Sequence, residues 1–197
     1  MSGSQLEGSR PWAWFGGRPG VDFVNTVRER ATTWRELLES PADLAEWFVV
    51  AEISARPLAV DHGLLRQAKE LREAIDQGIR AVLAAERVPA ESAQVINAWL
   101  ARAADRPPYL DVRERIPVLR TATAPSDARD ALCHIALDAA ELMGTSARDT
   151  VRVCASAPCS ALFVDRSAAR RRRWCSMATC GNRAKAAQFR RSSTKPH

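Results

Sequence analysis

The 197-residue chain holds 29 Lys and Arg against 23 Asp and Glu, a formal charge of +6 at pH 7; its length allows one domain or one with a small appendage, and its 46% hydrophobic content is ample for a globular core. No run reaches the roughly 18 apolar residues of a membrane helix, and Met1 to Gly20 lack a basic stretch followed by an apolar one, so a cytoplasmic protein without membrane or secretory segments is expected. Charge is divided: 11 of the 29 cations but only one acid, Asp165, lie from Val151 onward, giving that stretch +10 and the remainder −4. An acidic body with a basic tail predicts two units with different partners, the tail suited to a polyanion.

In chain order, the glycine-rich first twenty residues carry Trp12, Trp14 and Phe15 and read as a lead-in whose aromatics dock on the body. Val21 to Val27 either opens a helix or forms a short buried strand, since periodicity does not separate the two. Ser40-Pro41-Ala42-Asp43 predicts a helix start, with a serine cap, proline in the first turn and an acid beside it. Leu44, Trp47, Phe48 and Ala51 follow at helical spacing. Asp61 caps a longer helix whose Leu64, Ala68, Leu71, Ile75, Ile79 and Val82 form one stripe. Pro89 and Glu91 open another, with Val95, Trp99 and Ala103 inward and Pro107-Pro108 ending it. Tyr109 to Leu119 breaks helical period and reads as a small hairpin or irregular edge. Ser126 or Asp127 caps a last helix with Leu132, Ile135, Ala136, Ala139, Leu142 and Met143 on one face, ending near Gly144. Residues 1–147 are therefore expected to form a mainly α domain with a small β element.

Residues 148–197 change character. Cys154 and Cys159 form one pair, Cys175 and Cys180 a second of identical spacing, with fifteen residues between the pairs. Thiolates are preferred ligands of tetrahedral zinc, and two loops offering two each complete a closed, structural Zn2+ site with no open position for water or substrate. Disulfide pairing is the alternative, and short even spacings in a cytosolic chain favour the metal. Val151 to Val153 and Ala161 to Asp165 read as strands, Arg171 to Trp174 as a segment returning to Cys175, and Gly181 to Arg190 as a helix growing from the last ligand. That is a treble-clef-like ββα zinc finger, too small to fold without its metal. Trp174 and Phe163 are assigned to its mini-core. Arg170, Arg171, Arg172 and Arg173 on the turn and return, with Arg183, Lys185, Arg190 and Arg191 on the helix, supply planar forks and point charges suited to phosphate and guanine edges.

The stretch Arg172 to Ala186, containing Cys180-Gly181-Asn182-Arg183, resembles the signature of the CGNR zinc-finger family, and Cys159-Ser160-Ala161-Leu162-Phe163-Val164-Asp165 resembles its first knuckle and strand. The element Asp22-Phe23-Val24-Asn25-Thr26 resembles the opening motif of the ABATE-type domain that precedes this finger in the family. The resemblance implies zinc on Cys154, Cys159, Cys175 and Cys180, and a role as a stress-linked bacterial transcription regulator. Ala161 departs from the pattern, where a bulkier residue is expected.

Other groups are read more plainly. His62, His134 and His197 lack the spacing of a catalytic pair, and Cys133 flanks an apolar helix face as a small core residue, with a redox-sensing thiol as the alternative. No phosphate-cradling glycine loop or nucleophile elbow is present, so no enzyme is expected. Asp22 and Asn25, polar within an apolar run, are read as helix-capping groups bonding neighbouring backbone. Alternatively they line a pocket for a small-molecule effector, which Trp12, Trp14, Trp34, Trp47 and Trp99 would wall, although helical spacing makes Trp47 and Trp99 core. The expected function is a DNA-binding transcriptional regulator, with a homodimer formed through the helical domain. The alternative is a zinc-stabilised interaction module whose basic finger docks on an acidic protein surface, its own body included.

Overall fold

A computed structural model of the chain describes residues 12–103, 109–111, 118–120 and 125–193. The elements in order are α1 (Pro19–Val24), β1 (Val27–Arg28), β2 (Arg35–Glu36), α2 (Pro41–Val50), α3 (His62–Leu83), α4 (Ala90–Ala103), β3 (Tyr109–Asp111), β4 (Val118–Arg120) and α5 (Ala128–Gly144). A 3-10 turn (Ser146–Thr150) then leads to β5 (Val151–Val153), β6 (Leu162–Val164), a π turn (Met177–Gly181) and α6 (Asn182–Ser193). The strands form three antiparallel pairs, β1 with β2, β3 with β4 and β5 with β6. The ambiguous run after Gly20 resolves into both alternatives: α1 first, then β1. Pro107 and Pro108, expected to end α4, lie outside the described residues.

Local chemistry places the helix ends. Ser40 and Asp43 form a reciprocal capping box, the Asp43 carboxylate accepting from Ser40 N–H at 2.6 Å. Asp61 accepts from Leu64 N–H at 2.6 Å, and Asp127, not Ser126, caps α5 through the N–H groups of Arg129 and Asp130. Both α2 and α3 stop in a left-handed residue, Glu52 at φ 57° and Ala85 at φ 56°. Beyond each, a pair of N–H groups turns back: Ile53 to Phe48 and Glu52 to Val49, then Glu86 to Ala81 and Ala85 to Val82. This Schellman closure normally uses glycine, so both positions carry a Cβ where the backbone disfavours one.

The stripe of α3 is the axis of the core. Leu71 and Ile75 are fully buried and meet Phe23 and Val24 of α1, Trp47 and Phe48 of α2, Trp99 of α4, and Leu132 and Ile135 of α5 in one apolar cluster. Behind it runs a charged network. Arg72, only 2% exposed, grips Glu36 through two bonds of 2.7 and 2.8 Å and Glu73 through a third of 2.8 Å. Arg30 also binds Glu73, and Asp76 holds Arg80. Burial raises the Glu36 and Glu73 carboxyls, but hydrogen bonds from Arg72 and Arg30 outweigh it and hold both below the usual range.

The β5–β6 hairpin joins this core. Strand alternation sends Leu162 and Val164, with Val151 opposite, into the body's apolar cluster, while Phe163 between them faces the cysteines. Fully burying three aliphatic side chains is worth roughly 1.5–3 kcal/mol each, so the tail is packed onto the body and not tethered to it.

Candidate metal centre and its basic face

The four sulfurs are assembled by short local devices. Cys154 donates its N–H to the Ala161 carbonyl at 2.8 Å, closing the first knuckle against its hairpin, and Cys159 donates to Ser156 at 2.8 Å inside it. Ala155 N–H bonds the Arg173 carbonyl at 2.8 Å, drawing the second pair alongside the first. Asp165, fully buried, holds the intervening turn by accepting from the Ser167 N–H and hydroxyl and from Arg172 N–H. Those bonds, the Ser167 hydroxyl foremost, keep its carboxyl below the ordinary range. After Cys175, Ser176 caps the π turn, which delivers Cys180 at the mouth of α6.

All four Sγ atoms lie within 4.8 Å of one another and all are buried. Cys175 Sγ stands 3.7 Å from both Cys159 and Cys180. A tetrahedron with zinc–sulfur bonds of about 2.3 Å has sulfur–sulfur edges of about 3.8 Å, so the cluster already has the dimensions of a tetrathiolate. Disulfides, with bonds near 2.05 Å, do not describe it. The hydrogen bond from Cys175 pulls the Cys159 thiol down to about 5, and the same bond together with burial holds Cys175 up. Zinc binds thiolates, so loading this site releases protons and depends on pH. Phe163 and Ala161 pack beneath the sulfurs, with Phe15 and Trp174 at the sides. The small Ala161 leaves the ligand cluster intact.

A family model described as "ABATE: Putative stress-induced transcription regulator" matches residues 17–146, two thirds of the chain, and a model of the CGNR zinc finger matches residues 150–192. The chain belongs to the ABATE family. No curated protein matches it. Its CGNR finger holds a structural zinc, for which Cys154, Cys159, Cys175 and Cys180 supply the four thiolates.

Long-range bonds tie the CGNR finger to the ABATE body, and spacing revealed none of them. The Asn25 side chain behaves as a strand edge: its amide donates to the Leu162 carbonyl at 2.9 Å and its oxygen accepts from Leu162 N–H at 3.1 Å, across 137 positions of sequence. Val164 N–H bonds the Gly16 carbonyl at 2.8 Å, and Arg80 donates to the Ser160 carbonyl at 3.1 Å. Gly16 is needed for this approach, because a Cβ there would meet Asp22 N at 2.8 Å and the Asp22 carboxylate at 2.6 Å. Asp22 in turn accepts from Gly16 N–H at 2.7 Å, and burial raises its carboxyl to about 6 against that bond. Asp22 and Asn25 are therefore both engaged with backbone, Asn25 with a distant strand and not with its neighbours.

The arginine run divides. Arg172 stays exposed but is tied down: its guanidinium lies over the Phe163 ring at 5.0 Å and donates to the Cys175 carbonyl at 2.8 Å. Arg173 stacks over Trp174 at 5.1 Å, and Arg173, Trp174, Lys185 and Gln188 line one groove while Arg171, Arg172 and Met177 line the next. Arg183 projects from the other flank of α6, two residues and about 200° of helix away from Lys185, toward Arg28 and Phe15. Arg170 and Arg190 are exposed. The Arg191 side chain lies outside the described residues. Cys133 is a buried core residue of α5. Among the described residues no helix is long and apolar enough to cross a membrane.

Proposed function

We propose that the protein is a cytoplasmic bacterial transcription regulator that binds DNA through its zinc finger. The observation that carries this reading is the face formed by Arg171, Arg173, Trp174, Lys185 and Gln188. Its cations are exposed and, among the described residues, have no carboxylate partner, on a segment of charge +10 that the metal site holds rigid. The family's description as a transcription regulator supports it. Lys185 and Arg171 would track phosphates, and Arg173, braced by the Trp174 ring, would present its fork to phosphate or base edges. Arg172, whose guanidinium is held by the Phe163 ring and the Cys175 carbonyl, is not counted among the DNA contacts. A single finger binds too weakly for one promoter site, so dimerisation through the ABATE body belongs to the same reading. The metal has no catalytic role in it, since four thiolates fill a tetrahedral shell.

The test is the salt dependence of binding by the full-length, zinc-loaded protein to mixed genomic fragments. Five phosphate contacts, from Arg170, Arg171, Arg173, Lys185 and Arg190, give a slope of log affinity against log salt of about −4 to −5. Replacing Arg171, Arg173 and Lys185 by Ala should reduce its steepness by about 3. No retention on DNA at low salt, with binding to an acidic protein instead, would replace this reading by that of an interaction module. Docking of the finger on its own body already uses the hairpin, Asn25 and Arg80, and leaves the Arg171–Lys185 face exposed.

A further inference from the structure

We propose that the seam between the aromatic lead segment and the zinc finger is a binding site for a small planar aromatic carboxylate. A cavity of about 400 Å³ opens there, walled by Trp12, Trp14 and Phe15 on one side and by Thr179 and Arg183 on the other, with Arg28 at its edge. Its volume falls within the range of sites that hold small ligands. Asp22 and Asn25 do not line it.

The walls specify the ligand. Trp14 is 42% exposed yet held in place, its ring stacked at 5.9 Å and 28° on Trp47, which is core. It offers a fixed flat face that no side chain among the described residues covers fully, and a planar ring satisfies that face better than an aliphatic group. Arg28, from β1, lies over the Phe15 ring at 5.2 Å, and Arg183 comes from the first turn of α6. Neither guanidinium has a carboxylate partner among the described residues, although Arg28 is half-buried. Among the described residues the one acid lining the cavity, Glu29, already accepts from the Thr33 hydroxyl at 2.6 Å. Ser176 Oγ accepts the Thr179 N–H at 3.3 Å, which leaves its own proton free to donate. Two forks and a hydroxyl without a matching acceptor, beside an exposed indole, describe an aromatic body with an anionic end.

Cys159 and Cys180 also border the cavity, and a ligated tetrathiolate carries formal negative charge. The competing role for Arg28 and Arg183 is therefore to offset that charge, and the experiment must separate the two. The arginines come from opposite sides of the seam, Arg28 from the body and Arg183 from the finger. A carboxylate bridging them would link finger to body and so set how rigidly the basic face is carried. Occupancy needs no nucleic acid, so its failure is distinguishable from failure of DNA binding.

The test is calorimetric titration of the full-length, zinc-loaded protein with 2-naphthoate, 2-naphthamide and cyclohexanecarboxylate, with zinc content measured in parallel. Saturable one-to-one binding of naphthoate is expected, with the amide and the non-aromatic acid each about 10-fold weaker or more. Arg28→Ala, the exposed Arg183→Gln and Trp14→Ala should each lower naphthoate affinity by roughly 10- to 100-fold, the range for losing a charge-assisted bond, with zinc retained. Overturning results are no saturable binding of naphthoate, equal binding of the amide, unchanged affinity in Arg183→Gln, or loss of zinc in both arginine variants, which would assign the guanidiniums to the metal knot.

Discussion

Replacing Asn25 by Ala removes the side chain that satisfies both backbone groups of Leu162, a fully buried residue. Each group left without a partner costs about 1–3 kcal/mol, so the expected loss of stability is about 2–6 kcal/mol. Small domains have only about 5–15 kcal/mol in total, which makes this one amide a large share of the whole. Urea denaturation of the zinc-loaded protein followed by far-UV circular dichroism measures the loss, and chelator-driven zinc release should quicken because β6 carries the first knuckle. Asn25→Asp refines the test. An ionised carboxylate can accept from Leu162 N–H but faces the Leu162 carbonyl, whereas a protonated one can donate to it. The folded-state pKa of that variant should therefore rise above its unfolded value near 3.9, so its deficit against the parent shrinks as pH falls and grows as pH rises. A loss below about 1 kcal/mol in Asn25→Ala would refute the clamp, since the Leu162 groups would then have another partner.

Acid titration should show two opposed contributions. Asp22, raised to about 6, stabilises the fold fully below its unfolded value near 3.9 and loses that contribution as pH rises through 6. At about 1.4 kcal/mol per unit this amounts to up to about 3 kcal/mol, and Asp22→Asn should flatten stability between about pH 4 and pH 6. Glu36 and Glu73 have depressed values, so their contribution is present above about 4.3 and lost as pH falls through the folded-state values. Removing zinc with a chelator should lower the denaturation midpoint of the body as well as disorder the finger, because Val151, Leu162 and Val164 belong to the body's core; an unchanged body transition would show the two units to be independent. Ala85→Gly should stabilise the protein by about 0.5–1 kcal/mol, since glycine relieves the left-handed strain at φ 56°, and a measured loss would count against the Schellman assignment.

The metal site was legible from the chain itself because ligand chemistry is local: four thiols in two evenly spaced pairs specify a tetrahedral ion wherever the hairpin goes. The helices of the body were legible for a similar reason, since Ser40, Asp61 and Asp127 cap turns next to themselves and the α3 stripe repeats with the helix period. The roles of the polar residues were not. Asn25 reads like a local cap, yet its partner lies 137 positions away. The eight cations looked like one population, but helix phase and the turn held by Asp165 tie Arg172 to the Phe163 ring and the Cys175 carbonyl, turn Arg183 to the seam and leave Lys185 on the exposed face. Spacing describes what a residue can offer. Whether a guanidinium meets a carbonyl, a ring or water is settled only when elements distant in sequence pack together, because that contact depends on three-dimensional proximity that neither periodicity nor composition encodes.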